Sequence, residues 1–295
     1  MRRLVTLLFS VVPSALAGAQ QRPSSEIFLA PFSVKNGVPV VGKPVNVTAH
    51  PGYNNQPSFT PDSRAMLFTS DRDGGQPGGQ TDIYRLDVAS RAISRVTSTP
   101  ESEYSATVMP GGKRISVIRV EADQTQRLWS FAMDGGDPKL VIDALKPVGY
   151  HAWIDADNIV TFVLGNPNAL AHTDVRTQKS DTLARDIGRS LLPLPEKGGF
   201  SFTQRVDSSS VVKTMEWPSR ATHDVIAMPK GAQDLVWAAK GMLLTATGTK
   251  LMSWKLGAKE WTVVADYADA GLADMSRLAI SPDGKWIAVV AVPRK

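Results

Sequence analysis

Few residues of this chain have the types and spacing that chemistry requires. Four histidines stand at positions 50, 151, 172 and 223. Imidazoles gathered at one point could hold a metal or move protons. Asp71-Arg72-Asp73-Gly74-Gly75 puts two carboxylates and a guanidinium in one loop, which suits calcium ligation if the carboxylates converge. Asp62, Asp87, Asp134 and Asp283 each sit beside Gly, Ser or the end of an apolar run, and there the simpler role is turn chemistry. Cysteine is absent, which removes disulfides, thiolate metal sites and thiol nucleophiles. A serine hydrolase would need Gly-x-Ser-x-Gly on a strand-to-helix turn. The nearest fragment, Gly199-Phe200-Ser201-Phe202-Thr203, lacks the second glycine. No His-Glu-x-x-His, phosphate loop or dinucleotide glycine pattern occurs.

The composition is that of an ordinary globular chain. It has 295 residues, 42% hydrophobic and 21% charged, with 23 glycines and 20 prolines suited to many turns. Arg2 and Arg3, the apolar stretch Leu4 to Val12, and Ala17-Gly18-Ala19 read as a secretory signal peptide over 1–19, with 20–25 a short tail. The apolar stretch is too short to span a bilayer, so the mature protein is expected in the periplasm or secreted, without stable membrane insertion. Removing the two arginines lowers the net charge from +5 to +3, 31 basic against 28 acidic residues. The basic residues are scattered, and nucleic-acid binding is not expected.

The elements that would position any site come from a repeat. "PSFTPDSRAMLFTSDRDGG" followed by "TDIYRLDVASRAISRVTS" gives a short strand, a Pro-Asp turn, an apolar strand, a loop and two further strands. "YSATVMPGGKRISVIRV" with "QRLWSFAMDGGDPKLVI" repeats the phrase, and looser copies follow. "ISPDGKWIAVV" starts a last copy that stops after two strands. Turns near Pro61, Pro110, Asp155, Pro195, Ala238 and Pro282 recur about every 44 residues, the period of a β-propeller. The expected fold is an all-β, six-bladed β-propeller over 26–295, four antiparallel strands per blade. Glu26 to Ser33 and Lys43 to Thr48 supply the missing third and fourth strands. Residues 26–49 would then complete the last blade with 272–295 and close the ring, leaving no free sheet edge.

These phrases resemble the WD40-like PD40 repeats of the TolB-like propellers, strongly in units one, two and six. The resemblance implies a six-bladed propeller in the periplasm or outside the cell. TolB itself carries an extra N-terminal α/β domain, for which this chain has no room before the first repeat. Similar propellers are joined to prolyl-oligopeptidase-type hydrolases, whose nucleophile elbow is missing here. In oligogalacturonate lyases the propeller channel collects imidazoles.

On this scaffold only His151 falls in an innermost strand. His50 falls in a loop between blades, and His172 and His223 on outer strands, so no metal and no cofactor is expected. Loops entering the innermost strands share one face with loops joining strands two and three. Aligning the units on their turns places Gln56, Ser105, Tyr150, Ser190, Gln233 and Arg277 at equivalent starting positions. Asn54, Asn55, Tyr104, His151, Arg189 and Asp234 are neighbours, and Asp71, Arg72 and Asp73 stand at the edge of the same face. The expectation is a polar ring with a few aromatics above a packed channel, a default binding mouth. Phe68, Tyr84, Trp129, Trp153, Trp254 and Trp286 read as packing between blades. The first functional reading is a non-catalytic, monomeric binding scaffold for an envelope protein or peptide, or a cell-wall glycan. The alternatives are a metal-assisted lyase or hydrolase using His151, Asp234 and Glu103, and a subunit serving a separately encoded hydrolase.

Overall fold

The computed structural model describes residues 24–74, 79–195, 198–238 and 241–294. The expected signal peptide and the start of the tail lie outside the described residues. The chain begins with β1 (Glu26–Lys35), β2 (Val38–Val41) and β3 (Val45–Asn46). Blade one follows as β4 (Asn54–Phe59), β5 (Ala65–Ser70), β6 (Asp82–Asp87) and β7 (Ile93–Arg95). Blade two is β8 (Ser102–Val108), β9 (Arg114–Val120), β10 (Gln126–Ala132) and β11 (Lys139–Leu140). Blade three is β12 (Val148–Trp153), β13 (Asn158–Val163), β14 (Ala169–Asp174) and β15 (Lys179–Arg185). Blade four is β16 (Ile187–Pro193), β17 (Gly199–Val206), β18 (Ser209–Glu216) and β19 (Thr222–Ala227). Blade five is β20 (Leu235–Ala238), β21 (Met242–Thr247), β22 (Lys250–Lys255) and β23 (Thr262–Asp266), and the chain closes with β24 (Leu272–Ala273), β25 (Leu278–Ile280) and β26 (Trp286–Pro293). Five sheets are simple four-stranded antiparallel meanders and the sixth joins both ends of the chain. The architecture is a six-bladed β-propeller.

The turns explain why the units recur. In blade one the Thr60 hydroxyl donates to Asp62 (2.6 Å), which also accepts the Arg64 N–H (3.1 Å). In the last blade the Ser281 hydroxyl donates to Asp283 (2.6 Å), which accepts the Lys285 N–H (3.1 Å). The same side-chain-to-backbone device thus pins the first turn of both copies. Ser63 Oγ accepts the Asp283 N–H (3.0 Å), tying the two turns together across the closure.

The core is divided among the seams. Six apolar clusters lie one in each junction between neighbouring blades, for example Leu67, Ile83, Ile115, Val117 and Phe131 between blades one and two. A middle strand packs on a neighbour through each face, so β5, AMLFTS, is buried at every position. That accounts for its continuous apolar reading.

Closure runs through β1, whose Glu26 to Pro31 pair antiparallel with Ala291 to Trp286 of β26, while β3 pairs with β1 outside it. Beyond Pro31, β1 continues and folds back on β2 around the two-residue loop Asn36-Gly37, both with positive φ (52° and 75°). That loop is a favoured hairpin connection. A short β24 also pairs with the end of β26, so the closing sheet has six strands.

Candidate functional site

The innermost strands β4, β8, β12, β16, β20 and β25 begin on one face of the ring, here the upper face. The turns between first and second strands open on the lower face. Among the described residues, two cavities lie along the axis. The upper one, about 480 Å³, is lined by Tyr53, Asn55, Gln56, Thr81, Tyr104, Val120, Gln126, Tyr150, Arg189, Ser276 and Arg277. The lower one, about 800 Å³, reaches from Gln56, Tyr150, Arg189, Asp234 and Arg277 down to Pro61, Met109, Pro110 and Pro193. Its volume falls in the range of ligand pockets. The expected packed channel is therefore corrected to a hollow one. Ser58, Ala106, Ala152, Gly111 and Gly112 on its wall are too small to fill a six-fold ring.

Gln56, Tyr150, Arg189 and Arg277 line both cavities and form a polar partition between them. Arg277 donates to the Tyr150 hydroxyl (2.8 Å) and its guanidinium carbon lies 4.8 Å from the Tyr150 ring centre. Burial acts against its charge, but Asp234, Tyr150 and Tyr53 outweigh that and hold its pKa above the ordinary arginine value. Arg189 makes a two-pronged bond to Asp234, Nε to Oδ1 at 2.9 Å and the second through Oδ2. Such forks are strong and directional. Tyr150 packs edge-on against Tyr104 (6.3 Å) and Phe162 (5.6 Å).

Backbone irregularity sets these side chains. Gln56 and Ser105 have φ of 57° and 56°, left-handed values costly for non-glycine residues. Each lies in a register shift, between Asn55 and Ser58 and between Tyr104 and Thr107. Such bulges re-aim side chains. Gln56 Oε1 accepts the Thr69 hydroxyl (2.7 Å) and the Ser105 backbone N–H (3.1 Å). A backbone N–H can only donate, so the oxygen must face the wall and the amide nitrogen the channel.

His151 belongs to the lower cavity and is 8% exposed. Its Nε2 meets Ser116 Oγ at 2.7 Å, and Ser116 also accepts the Trp153 indole N–H (2.9 Å). Burial pulls the His151 pKa down to about 3, keeping the ring neutral at physiological pH. Its Nδ1 and the buried Ser105 Oγ have no hydrogen-bond partner among the described residues.

The structure brings together Asn55, Gln56, Tyr104, Ser105, Tyr150, His151, Arg189, Asp234 and Arg277 along the two cavities. Gln233 is exposed and lines neither. Three residues separate Ala238 from its partner Met242, whereas six separate Phe59 from Met66. An alignment centred on the turns therefore slips in unit five, and Leu235 is the true counterpart of Gln56. Asp71, Arg72 and Asp73 also lie off both linings. Asp71, 3% exposed, accepts the Tyr53 N–H (2.7 Å), and Asp73 accepts the Tyr84 hydroxyl (2.6 Å). Arg72 lies over the Phe68 and Tyr84 rings and donates to Asn54 Oδ1 (3.2 Å). These contacts tie the loop to blade one, with Asp71 buried, Arg72 half-buried and Asp73 exposed.

His50, His172 and His223 stand away from the cavity linings, and no group of three or more His, Asp or Glu fit to hold a metal occurs among the described residues. His172 lies between Asn158 and Asp181 and packs on Trp217 at 4.3 Å. Glu103, one of the proposed acid–base set, is 0% exposed and lies off both cavities, where its N–H meets Thr81 O across the seam of blades one and two. Sequence reasoning missed Tyr53, Thr81, Gln126 and Ser276 on the upper rim. Gln126 opens a third strand, and the shared face of those loops with the innermost strand starts was the available signal.

No family model matches the chain. An uncharacterised protein of Agrobacterium fabrum is 26% identical over 109 residues, 35% of this chain and 36% of that protein. The match thus spans about a third of that relative. Among solved structures, a putative TolB from Agrobacterium tumefaciens superposes with a TM-score of 0.70 at 14% identity, covering 92% of this chain and all of that one. The fold is that of the TolB-like propellers. TolB from Acinetobacter baumannii gives a TM-score of 0.51 at 19% identity over 69% of this chain and 52% of its own. An oligogalacturonate lyase from Vibrio parahaemolyticus gives 0.52 at 11% identity over 92% and 99%. At these identities the TolB-like propeller and the lyase share its architecture, and function has to be argued from the site.

Proposed function

We propose that this chain is an exported, non-catalytic TolB-like propeller that holds a protein or peptide segment of the cell envelope in its upper mouth. The observation that carries the reading is the rim itself. Tyr53, Asn55, Tyr104, Gln126, Arg189 and Arg277, from blades one, two, four and six, converge on one concave opening. Aromatic and arginine anchors around a rigid concavity are what interface hot spots use. Among the described residues, the three side chains named for turnover do not come together. His151 is held neutral against Ser116, Asp234 is engaged by Arg189, and Glu103 lies in a seam. The leader read from the sequence at 1–19 supports a location in the periplasm or beyond it.

The test is capture of partners by the tagged protein in its own envelope after brief crosslinking, with Tyr104→Ala and Arg277→Gln as controls. A partner lost from both variants supports the mouth. A partner retained by both moves the binding surface elsewhere.

A further inference from the structure

We infer that the lower cavity is a separate binding site for a carboxylate with an apolar body, its anionic head against Arg277 and its body among the lower walls. The inference does not rest on a partner at the upper mouth. Two observations carry it, the balance of donors at the partition and the change of character below it.

Two arginines and one carboxylate meet at the partition, and that carboxylate is occupied by Arg189. One positive charge is left over. Among the described residues the Arg277 side chain makes no ion pair and a single hydrogen bond, to the Tyr150 hydroxyl. A guanidinium has five N–H donors. The groups around it add donors rather than acceptors. The Gln56 amide nitrogen faces the channel because its oxygen is taken from behind. Tyr150 already accepts from Arg277, so its own proton is available to another acceptor. The Ser105 hydroxyl is buried without a partner. On the wall, His151, more than nine-tenths buried, carries an unpartnered ring nitrogen that donates or accepts according to its tautomer. Two guanidiniums against one carboxylate leave the partition net positive with donors in excess, so an anion entering there is attracted. Carboxylate oxygens are acceptors only, and a planar pair of them matches a guanidinium.

Below this ring the walls change. Met109, Trp153, Leu192 and Leu278 form an apolar sleeve around a volume of about 800 Å³. A fully hydrophilic anion would leave that sleeve unused, whereas an aryl or alkyl tail would bury it. The same chemistry occurs in a free aryl-alkanoic acid and in a peptide chain ending in an aromatic or aliphatic residue.

The experiment is calorimetric titration of the whole protein with 4-phenylbutyrate and with its uncharged amide. Acetyl-Ala-Phe, as free acid and as amide, forms the second arm. The acids are expected to bind one per chain and at least tenfold more tightly than the amides. The tighter arm identifies a small acid or a chain terminus as the natural form. Arg277→Gln should reduce the acid to the affinity of the amide. Ser58→Trp, at a half-buried position on the wall, should weaken acid and amide alike with Arg277 intact. Equal binding of acid and amide to the parent protein, or no binding of either acid, would overturn the inference. That comparison holds even if Arg277→Gln fails to fold.

Discussion

Glu103 should make this propeller less stable as pH rises through neutrality, and replacing it by glutamine should remove that loss. The side chain is 0% exposed in the seam between blades one and two. Oε1 accepts the Thr99 hydroxyl, and Arg119 Nε stands 3.6 Å from the same oxygen. Oε2 has no partner among the described residues. Burial, with a smaller contribution from the Asp82 charge, outweighs the Thr99, Thr97 and Arg119 contacts and raises the pKa from 4.5 to about 7. At 1.36 kcal/mol per pH unit, that interval corresponds to about 3 kcal/mol. The folded state holds the proton more tightly than the unfolded one. The stabilisation is therefore complete below about pH 4.5, declines as pH rises, and is gone above about pH 7. Glutamine keeps an acceptor for Thr99 and gives up only the long Arg119 contact, a cost of about 1 kcal/mol or less. Urea unfolding of parent and Glu103→Gln between pH 5 and pH 8.5 reads the effect directly. The variant should lie within about 1 kcal/mol of the parent at pH 5 and exceed it by about 2 kcal/mol at pH 8.5. Parallel stability curves, or a variant that loses ground as pH rises, would refute the reasoning.

Two further outcomes follow from the closure and from blade one. Removing Trp286 to Lys295 deletes β26, the strand that pairs with β1, β24 and β25 and buries Ile287 through Ala291. At roughly 1.5–3 kcal/mol for each large apolar side chain, the truncated ring should open and aggregate, and a soluble product with a sharp thermal transition would contradict that. Gly52 has φ of +123°, and a Cβ there would meet Asp71 Oδ1 at 2.4 Å. Gly52→Ala should therefore cost roughly 1–3 kcal/mol in urea titration, while an unchanged midpoint would show that the Asp71–Tyr53 contact can give way.

The ring was legible because its signals are local. Pro61-Asp62 and Pro282-Asp283 mark turns that work through side chains one or two residues away. The doubly buried β5 is a plain apolar run. The hairpin after Pro31 was equally local, since Asn36-Gly37 is a strong turn signal. It lies outside the repeat, because Glu26 to Ser33 and Lys43 to Thr48 already supply the strands that the closing blade needs. The site was harder to read. Gln56 and Ser105 are polar residues in extended runs, and nothing in "NNQPS" or "EYSAT" announces a left-handed bulge. The pairing of Arg189 with Asp234 spans 45 residues and two blades, and that of Arg277 with Tyr150 spans 127. Such contacts follow from ring geometry rather than spacing. Asp71, Arg72 and Asp73 illustrate the opposite failure. Their local pattern suggested a ligand loop, and the fold engages them with Tyr53, Tyr84 and Asn54.

The central claim is that binding takes place at the upper mouth. A photoreactive phenylalanine analogue placed at Gln126, on that rim, and at Leu256, exposed on the outer edge of blade five, tests it in the living envelope. The account predicts a discrete adduct from position 126 that is absent from position 256 and disappears when Tyr104→Ala is added. An adduct from position 256 alone, or one from 126 that persists in the Tyr104→Ala background, would contradict it.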